Sequence, residues 1–376
     1  MPIPSRITAL ASRRRGFLPA VAALAGALLI ATAAPASAAP AGAAHHQPPP
    51  PPPAPSLTSQ VIYSPAQDAG YTCFRIPSIV KANDGTLLAF AEGRVTSCGD
   101  SGDIDVVLKR STDGGKTWGP LQLINAGNGD THDQPTAVVD SRTGRILLIT
   151  NANPGGTSTS ACAIPCDRTA YLQYSDDDGA TWSAPRDITS QVKDPSWNEW
   201  FVTGPGHGLQ LTEGPHKGRI VVGFNAESGV GTKENANLAG LVYSDDGGNS
   251  WHIGATDSIP YNADGTYGQK PQELSLAQLP GGGIYAAARE TGGTDIGNRS
   301  SAVSRDGGRS FSTKFATIPD LVTPQVQGTV LTLQGAANQG RMLFSSPANT
   351  DLRKTMMIRS SYDNGRTWEN ADQGTV

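Results

Sequence analysis

Short apolar runs of five to ten residues, each bounded by glycine-rich turns, recur along most of the chain. "GTLLAFAEGR", "GRILLITNAN", "GRIVVGFNAE", "GGIYAAARE" and "GRMLFSSPA" read as strands, as do "DIDVVLKR", "TAYLQY", "LAGLVY" and "KTMMIRS". Helical periodicity is almost missing, so the expected class is all-β. A single octapeptide punctuates these runs: "STDGGKTW" from Ser111, "SDDDGATW" from Ser175, "SDDGGNSW" from Ser244, "SRDGGRSF" from Ser304 and "SYDNGRTW" from Ser361. The spacing of 57 to 69 residues leaves room for about four short strands per repeat, the signature of a β-propeller. Within each box Ser and Asp can bond the turn's own amides and Gly supplies positive φ. The boxes are therefore expected to be hairpin turns at the blade periphery, their Trp or Phe anchoring the turn in the core.

Residues 1–38 depart from this pattern. Arg13-Arg14-Arg15, an apolar run from Phe17 to Ala34 and Ala36-Ser37-Ala38 read as a signal peptide for secretion, too short for a comfortable membrane span. Arg14-Arg15-Gly16-Phe17-Leu18 also fits twin-arginine export. Residues 39–56, with "HHQPPPPPPPAP", read as an extended Pro-rich linker, and the propeller is expected over 57–376. Cleavage after residue 38 removes four arginines and no acid, taking the formal charge from −4 to −8. That balance argues against nucleic acid and anionic membrane surfaces as partners. The four cysteines, Cys73, Cys98, Cys162 and Cys166, suggest two disulfides; three connectivities exist, and proximity favours Cys73–Cys98 and Cys162–Cys166. Neither C-x-x-C nor H-E-x-x-H spacing occurs, so no metal and no cofactor is expected.

The segment "YTCFRIPSIV" raises a chemical question. Arg75 sits in an apolar strand, and a guanidinium cannot shed its charge in low dielectric. A structural Asp or Glu is the ordinary partner. Together with the boxes, however, "FRIP", "AFAEGR" and "GPGHGLQL" in this order resemble the sialidases (neuraminidases) from about Val61 onward. That resemblance implies a six-bladed propeller, with the final blade incomplete in this chain, and exo-α-sialidase activity on sialylated glycoproteins, glycolipids or oligosaccharides. It implies that three arginines grip the substrate carboxylate: Arg75, Arg289 and Arg353, with Arg359 the alternative to the last. A planar fork that stays charged suits this task.

The resemblance also implies Asp100 as general acid/base, with Asp103 and Asp105 as competitors, and Glu273 as the group that takes the proton from a tyrosine nucleophile. A neutral phenol avoids the repulsion a carboxylate would meet at a carbon already bearing one. Arg94 is expected beside the carboxylate or O4, Gln134 facing the sugar with Asp133 as rival, and Glu199 near the glycerol tail; His207 is expected to be structural. The tyrosine itself is expected beyond the last box, and Tyr362, inside that box, does not qualify. On this reading the chain is the N-terminal part of a longer enzyme. A non-catalytic sialic-acid-binding propeller and a trans-sialidase are the alternatives, followed by an Asp-box scaffold acting on other glycans or on proteins. Asp100 and Glu273 argue against a pure binder, which needs neither.

Overall fold

The computed structural model describes residues 59–158, 162–229, 236–264, 266, 268–291, 297–334 and 340–369. The expected leader and the whole of the expected linker lie outside them. The fold is an all-β propeller. Blade one is the antiparallel meander β1 (Cys73–Lys81), β2 (Leu87–Arg94), β3 (Ile104–Ser111) and β4 (Gln122–Asn125). Blade two follows with β5 (Thr131–Val139), β6 (Ile146–Asn153), β7 (Thr169–Ser175) and β8 (Arg186–Asp187). The inner edge of blade three is broken into β9 (Phe201–Thr203), β10 (Gly206–His207) and β11 (Leu209–Gln210). β9 and β11 pair with β12 (Ile220–Ser228), which continues to β13 (Ala236–Ser244) and β14 (His252–Pro260); β10 instead pairs parallel to β5. Blade four comprises β15 (Pro271–Leu279), β16 (Gly283–Glu290), β17 (Asn298–Ser304) and β18 (Thr313–Val322). β19 (Thr329–Thr332), β20 (Met342–Pro347) and β21 (Met356–Ser361) form the fifth. Among the described residues there are thus four complete blades and three strands of a fifth, one blade to each box.

The hydrophobic core lies between blades rather than within them. Leu88, Phe90 and Val106 of blade one pack with Ala137, Ile146 and Leu148 of blade two. Similar clusters join blades two and three around Leu147, Phe201 and Phe224, three and four around Leu241 and Leu276, and four and five around Tyr285 and Phe344. Burying both faces of each sheet explains why β2, β6 and β12 read as continuous apolar runs instead of alternating.

Each box is a turn stitched by its own side chains. In the third, Ser244 Oγ donates to Asp246 Oδ1 (2.9 Å) and accepts from Gly248 N–H (2.8 Å), while Asp246 accepts from the backbone and hydroxyl of Ser250. The box reaches backwards. Trp182 of blade two meets Phe90 of blade one edge-on, and Trp251 of blade three lies in the cluster containing Leu147 of blade two. Trp368 of blade five likewise packs on Tyr285 and Phe344. The box glycine allows this approach: Gly248 has φ +88°, and a Cβ there would run into Leu147. The expectation that all five aromatics are core therefore needs correcting. Trp251 and Trp368 are buried, whereas Trp118, Trp182 and Phe311 are half-buried. Trp118 belongs to the first blade, which has no preceding blade among the described residues.

Candidate active site

The inner strands of blades one, two and four break register at the same level. The ladder slips between Arg75 and Ser78, between Asp133 and Thr136, and between Gln272 and Ser275. At each slip a non-glycine residue takes positive φ: Ile76 (53°), Gln134 (58°) and Glu273 (46°). Such backbone costs about 1–3 kcal/mol per residue and persists where surrounding structure enforces it. The gain here is geometric, because a bulge turns two successive side chains to the same side. Arg75 with Ile76, Asp133 with Gln134, and Gln272 with Glu273 all line one cleft of about 620 Å³.

Side chains from neighbouring blades accept from inner-edge amides of blades two, three and four. Glu92 Oε1 on β2 accepts from Gln134 N–H (2.9 Å), Asn151 Oδ1 on β6 from Thr203 N–H (3.2 Å), and Asn225 Oδ1 on β12 from Glu273 N–H (3.1 Å). In each case the second strand of one blade caps the inner strand of the next.

Six of the expected charged residues line the cleft. Arg75 Nη1 lies 2.6 Å and Arg94 Nη1 2.8 Å from Asp100 Oδ1, and Arg289 Nη1 lies 2.9 Å from Glu273 Oε1. Arg353, from the loop after β20, lines the same cleft and donates to Gln325 O at 3.0 Å. Arg359, its alternative, is buried under blade five and donates to Val322 O. Among the competing acids only Asp100 lines the cleft. Asp105 accepts from Tyr71 Oη (2.8 Å) and Gly127 N–H (2.7 Å), and Asp103 is half-buried elsewhere. Gln134 and Asp133 both line it, but Asp133 is engaged by Arg168 through two parallel bonds of 2.9 and 3.0 Å. His207 lies outside the cleft, its Nε2 3.1 Å from Leu276 O.

Glu199 departs from expectation. It does not line the cleft; its side chain packs against Gly229, and the adjacent Trp200 takes the inward position. Burial and the charge of Glu227 raise its carboxyl above the ordinary value. The polar wall on that side is built instead by Glu227, Lys270 and Gln272, with Lys270 Nζ 2.9 Å and Gln272 Nε2 3.2 Å from Glu227 Oε1. Trp200, Glu227 and Lys270 carried no signal in the sequence; for Trp200 the reason is that strand parity after the "DPSWNEW" turn cannot be counted. The expected disulfides Cys73–Cys98 and Cys162–Cys166 both form, with Cα–Cα distances of 5.4 and 5.3 Å.

Electrostatics separates the acids. Partial burial pushes Asp100 up, but the hydrogen bond from Arg94 and the charges of Arg75, Arg94 and Arg289 outweigh it and hold the carboxyl below its usual value. Glu92 is fully enclosed; burial and nearby Asp133 push it up to about 7 despite Arg94. A raised carboxyl binds its proton more tightly folded than unfolded, so its stabilisation is complete below the unfolded value and fades as pH rises. Relative to Glu92→Gln, the protein should lose stability between pH 4.5 and 7 and then level off; chemical denaturation across that range checks it. Glu273 Oε2 is buried and accepts no hydrogen bond from the described residues, which leaves it open to an O–H donor. Among the described residues no tyrosine lines the cleft, and no group of His, Cys, Asp and Glu could hold a metal ion.

Comparison with known proteins places this arrangement. Residues 85–373 match the family model described as BNR repeat-like domain. The sialidase of Micromonospora viridifaciens is 32% identical over 315 residues, covering 80% of this chain and 46% of that protein. The exo-alpha-sialidase of Arthroderma benhamiae is 30% identical over 341 residues, covering 83% of this chain and 74% of that protein. The solved structure of Hadza microbial sialidase Hz136 superposes with TM-score 0.67 at 28% identity, over 80% of this chain and 58% of that one. The chain spans about half the length of the Micromonospora relative. The repeat boxes, the propeller and these similarities together show that the chain belongs to the sialidase family.

Proposed function

We propose that the protein is a secreted exo-α-sialidase, an enzyme that hydrolyses terminal α-linked sialic acids from glycoproteins, glycolipids or oligosaccharides with retention of configuration. The observation that carries this reading is the convergence of Arg75, Arg289 and Arg353 with Asp100 and Glu273 in one cleft. The arginines bind the substrate carboxylate through paired N–H donors. Arg94 and Gln134 contact the sugar ring. The Glu227–Lys270–Gln272 wall, in place of Glu199, meets the polar tail.

In the first step a phenol oxygen attacks the anomeric carbon, Glu273 Oε2 takes the phenol proton, and Asp100 gives its proton to the departing glycosidic oxygen. In the second, Asp100 takes a proton from water, the hydroxyl adds to the anomeric carbon, and the phenolate leaves and recovers its proton from Glu273. Sialidases are known as the tyrosine exception to the two-carboxylate scheme of glycosidases.

The test is to incubate the protein, as its source secretes it, with an aryl α-sialoside and follow the first-formed sugar by NMR. Release of the α-anomer is expected. Binding of a sialic acid analogue without release would replace the hydrolase with the binding-module reading, and transfer to an added glycan in preference to water would indicate a trans-sialidase. The propeller is assigned to residues 57–376, after a signal peptide over 1–38 and a linker over 39–56. Among the described residues no helix is long and apolar enough to cross a membrane.

A further inference from the structure

The carboxylate-binding arginines already hold a carboxylate of the chain itself. Asp100 has a side chain that is 76% exposed, yet its Oδ1 is shared between Arg75 Nη1 at 2.6 Å and Arg94 Nη1 at 2.8 Å. The neighbouring backbone adds to this. Cys98 O accepts from Arg75 (3.3 Å) and Arg94 (2.8 Å), and Gly99 O accepts from Arg94 (2.5 Å). The loop between β2 and β3 thus lies over the arginines as a strap, offering three acceptors where a ligand carboxylate offers two oxygens.

The strap is pinned on both sides of the aspartate. Cys98 is bonded to Cys73 on β1, and Gly102 exchanges hydrogen bonds with Thr131 Oγ1 on β5 (3.1 and 2.9 Å). Only Gly99, Asp100 and Ser101 lie between these anchors, so Asp100 can swing off the arginines without leaving the cleft. Arg94 cannot follow it. Two bonds to the buried Glu92, 2.6 and 3.0 Å long, fix the guanidinium. Among the described residues Arg75 has no other carboxylate partner.

We propose that Asp100 is the resident carboxylate of the arginine cluster, that a substrate carboxylate must displace it from Arg75, and that displacement delivers Asp100 to the leaving oxygen in its protonated form. The proposal rests on the sialidase reading for the identity of the substrate, but not for the exchange. The charged groups facing Asp100 are Arg75 on β1, Arg94 on β2 and Arg289 on β16, with Glu92 behind Arg94. With Arg75 and Arg94 bonded to it and the charge of Arg289, itself paired with Glu273, nearby, Asp100 is an ionised acceptor and a poor proton donor. Once a second carboxylate takes up Arg75 and Arg289, the balance inverts: cations are shared, and a like charge lies beside it. Binding energy from one end of the sugar thereby arms the acid at the other, and the unliganded site is kept from taking passing anions.

Two probes separate the exchange from the substrate reading: acetate, which needs only the arginines, and 2-deoxy-2,3-didehydro sialic acid, which needs the sugar site as well. Each is titrated calorimetrically at pH 6, where both ligand carboxylates are ionised, in two buffers of different ionisation enthalpy, into the full chain and into Asp100→Asn. For the parent chain, uptake on the order of half a proton per bound ligand is expected. Asp100→Asn should take up none and bind acetate about tenfold more tightly, because its arginines are no longer self-occupied. Acetate binding with proton uptake but no analogue binding would uphold the exchange and overturn the sialic acid reading. Analogue binding with no proton uptake and no gain in Asp100→Asn would overturn the exchange alone. If neither probe binds either chain, both fall.

Discussion

Asp133→Ala should destabilise the protein by about 3–5 kcal/mol. The aspartate lines the cleft, but its work is structural. Arg168, with a fully buried side chain, reaches it through two parallel bonds, donates to Phe201 O at 3.0 Å and to Asn153 Oδ1, and lies 4.1 Å over the Trp200 ring. This ties the inner strand of blade two to the start of blade three. Removing the carboxylate leaves a desolvated guanidinium with no countercharge, and that penalty far exceeds the net worth of the pair. The measurement is a urea midpoint at unchanged slope. Replacing Arg168 and Asp133 together by apolar residues should recover much of the loss; a single mutant within 0.5 kcal/mol of the parent would mean that Arg168 finds another acceptor.

Arg75→Met should do the opposite, sparing stability and removing ligand. Arg75 is 29% exposed and its carboxylate partner stands on an exposed loop, so little folding energy depends on it. A sialic acid analogue, by contrast, loses a charge-paired contact in a partly desolvated cleft. Truncating one side of such a pair costs about 2–5 kcal/mol, which is roughly 30- to 5000-fold in affinity. Asp100 stays paired with Arg94 in this variant, so nothing offsets that loss. Calorimetric titration beside a thermal melt decides it. An affinity within threefold of the parent would remove Arg75 from the carboxylate grip.

What could be read in advance followed from short-range physics. Turn chemistry repeats in the boxes, and apolar runs of strand length lie between them, so the propeller was legible without any contact known. The sialidase resemblance pointed to Arg75, Asp100, Glu273, Arg289 and Arg353, and these five line one cleft. What escaped was action across blades. Glu92, Asn151 and Asn225 bond amides more than 40 residues away, and those of Gln134 and Glu273 lie where a bulge has broken the ladder. A bulge in a neighbouring strand leaves no local mark on the residue that caps it. Arg299 shows the same limit. It lies directly across from Arg289 on the paired strand, fully buried over Phe344 and bonded to Val326 O at 2.6 Å. Burial lowers its pKa to about 10, with Glu273 opposing the shift. In the sequence it was one more polar residue in a strand.

The backward reach of the boxes gives the chain a direction of assembly. From the second box onward each turn closes its own blade and presses its aromatic residue against the blade made before it, so these interfaces need only sequence that has already emerged. A chain appearing from its N-terminus can therefore dock blade by blade without waiting for distant partners, in the manner of a stacked array whose energy is a sum over adjacent units. Damage should spread in the same way. A weakened box loosens the seam on its N-terminal side and leaves the others closed, so local opening by hydrogen exchange should proceed seam by seam rather than all at once.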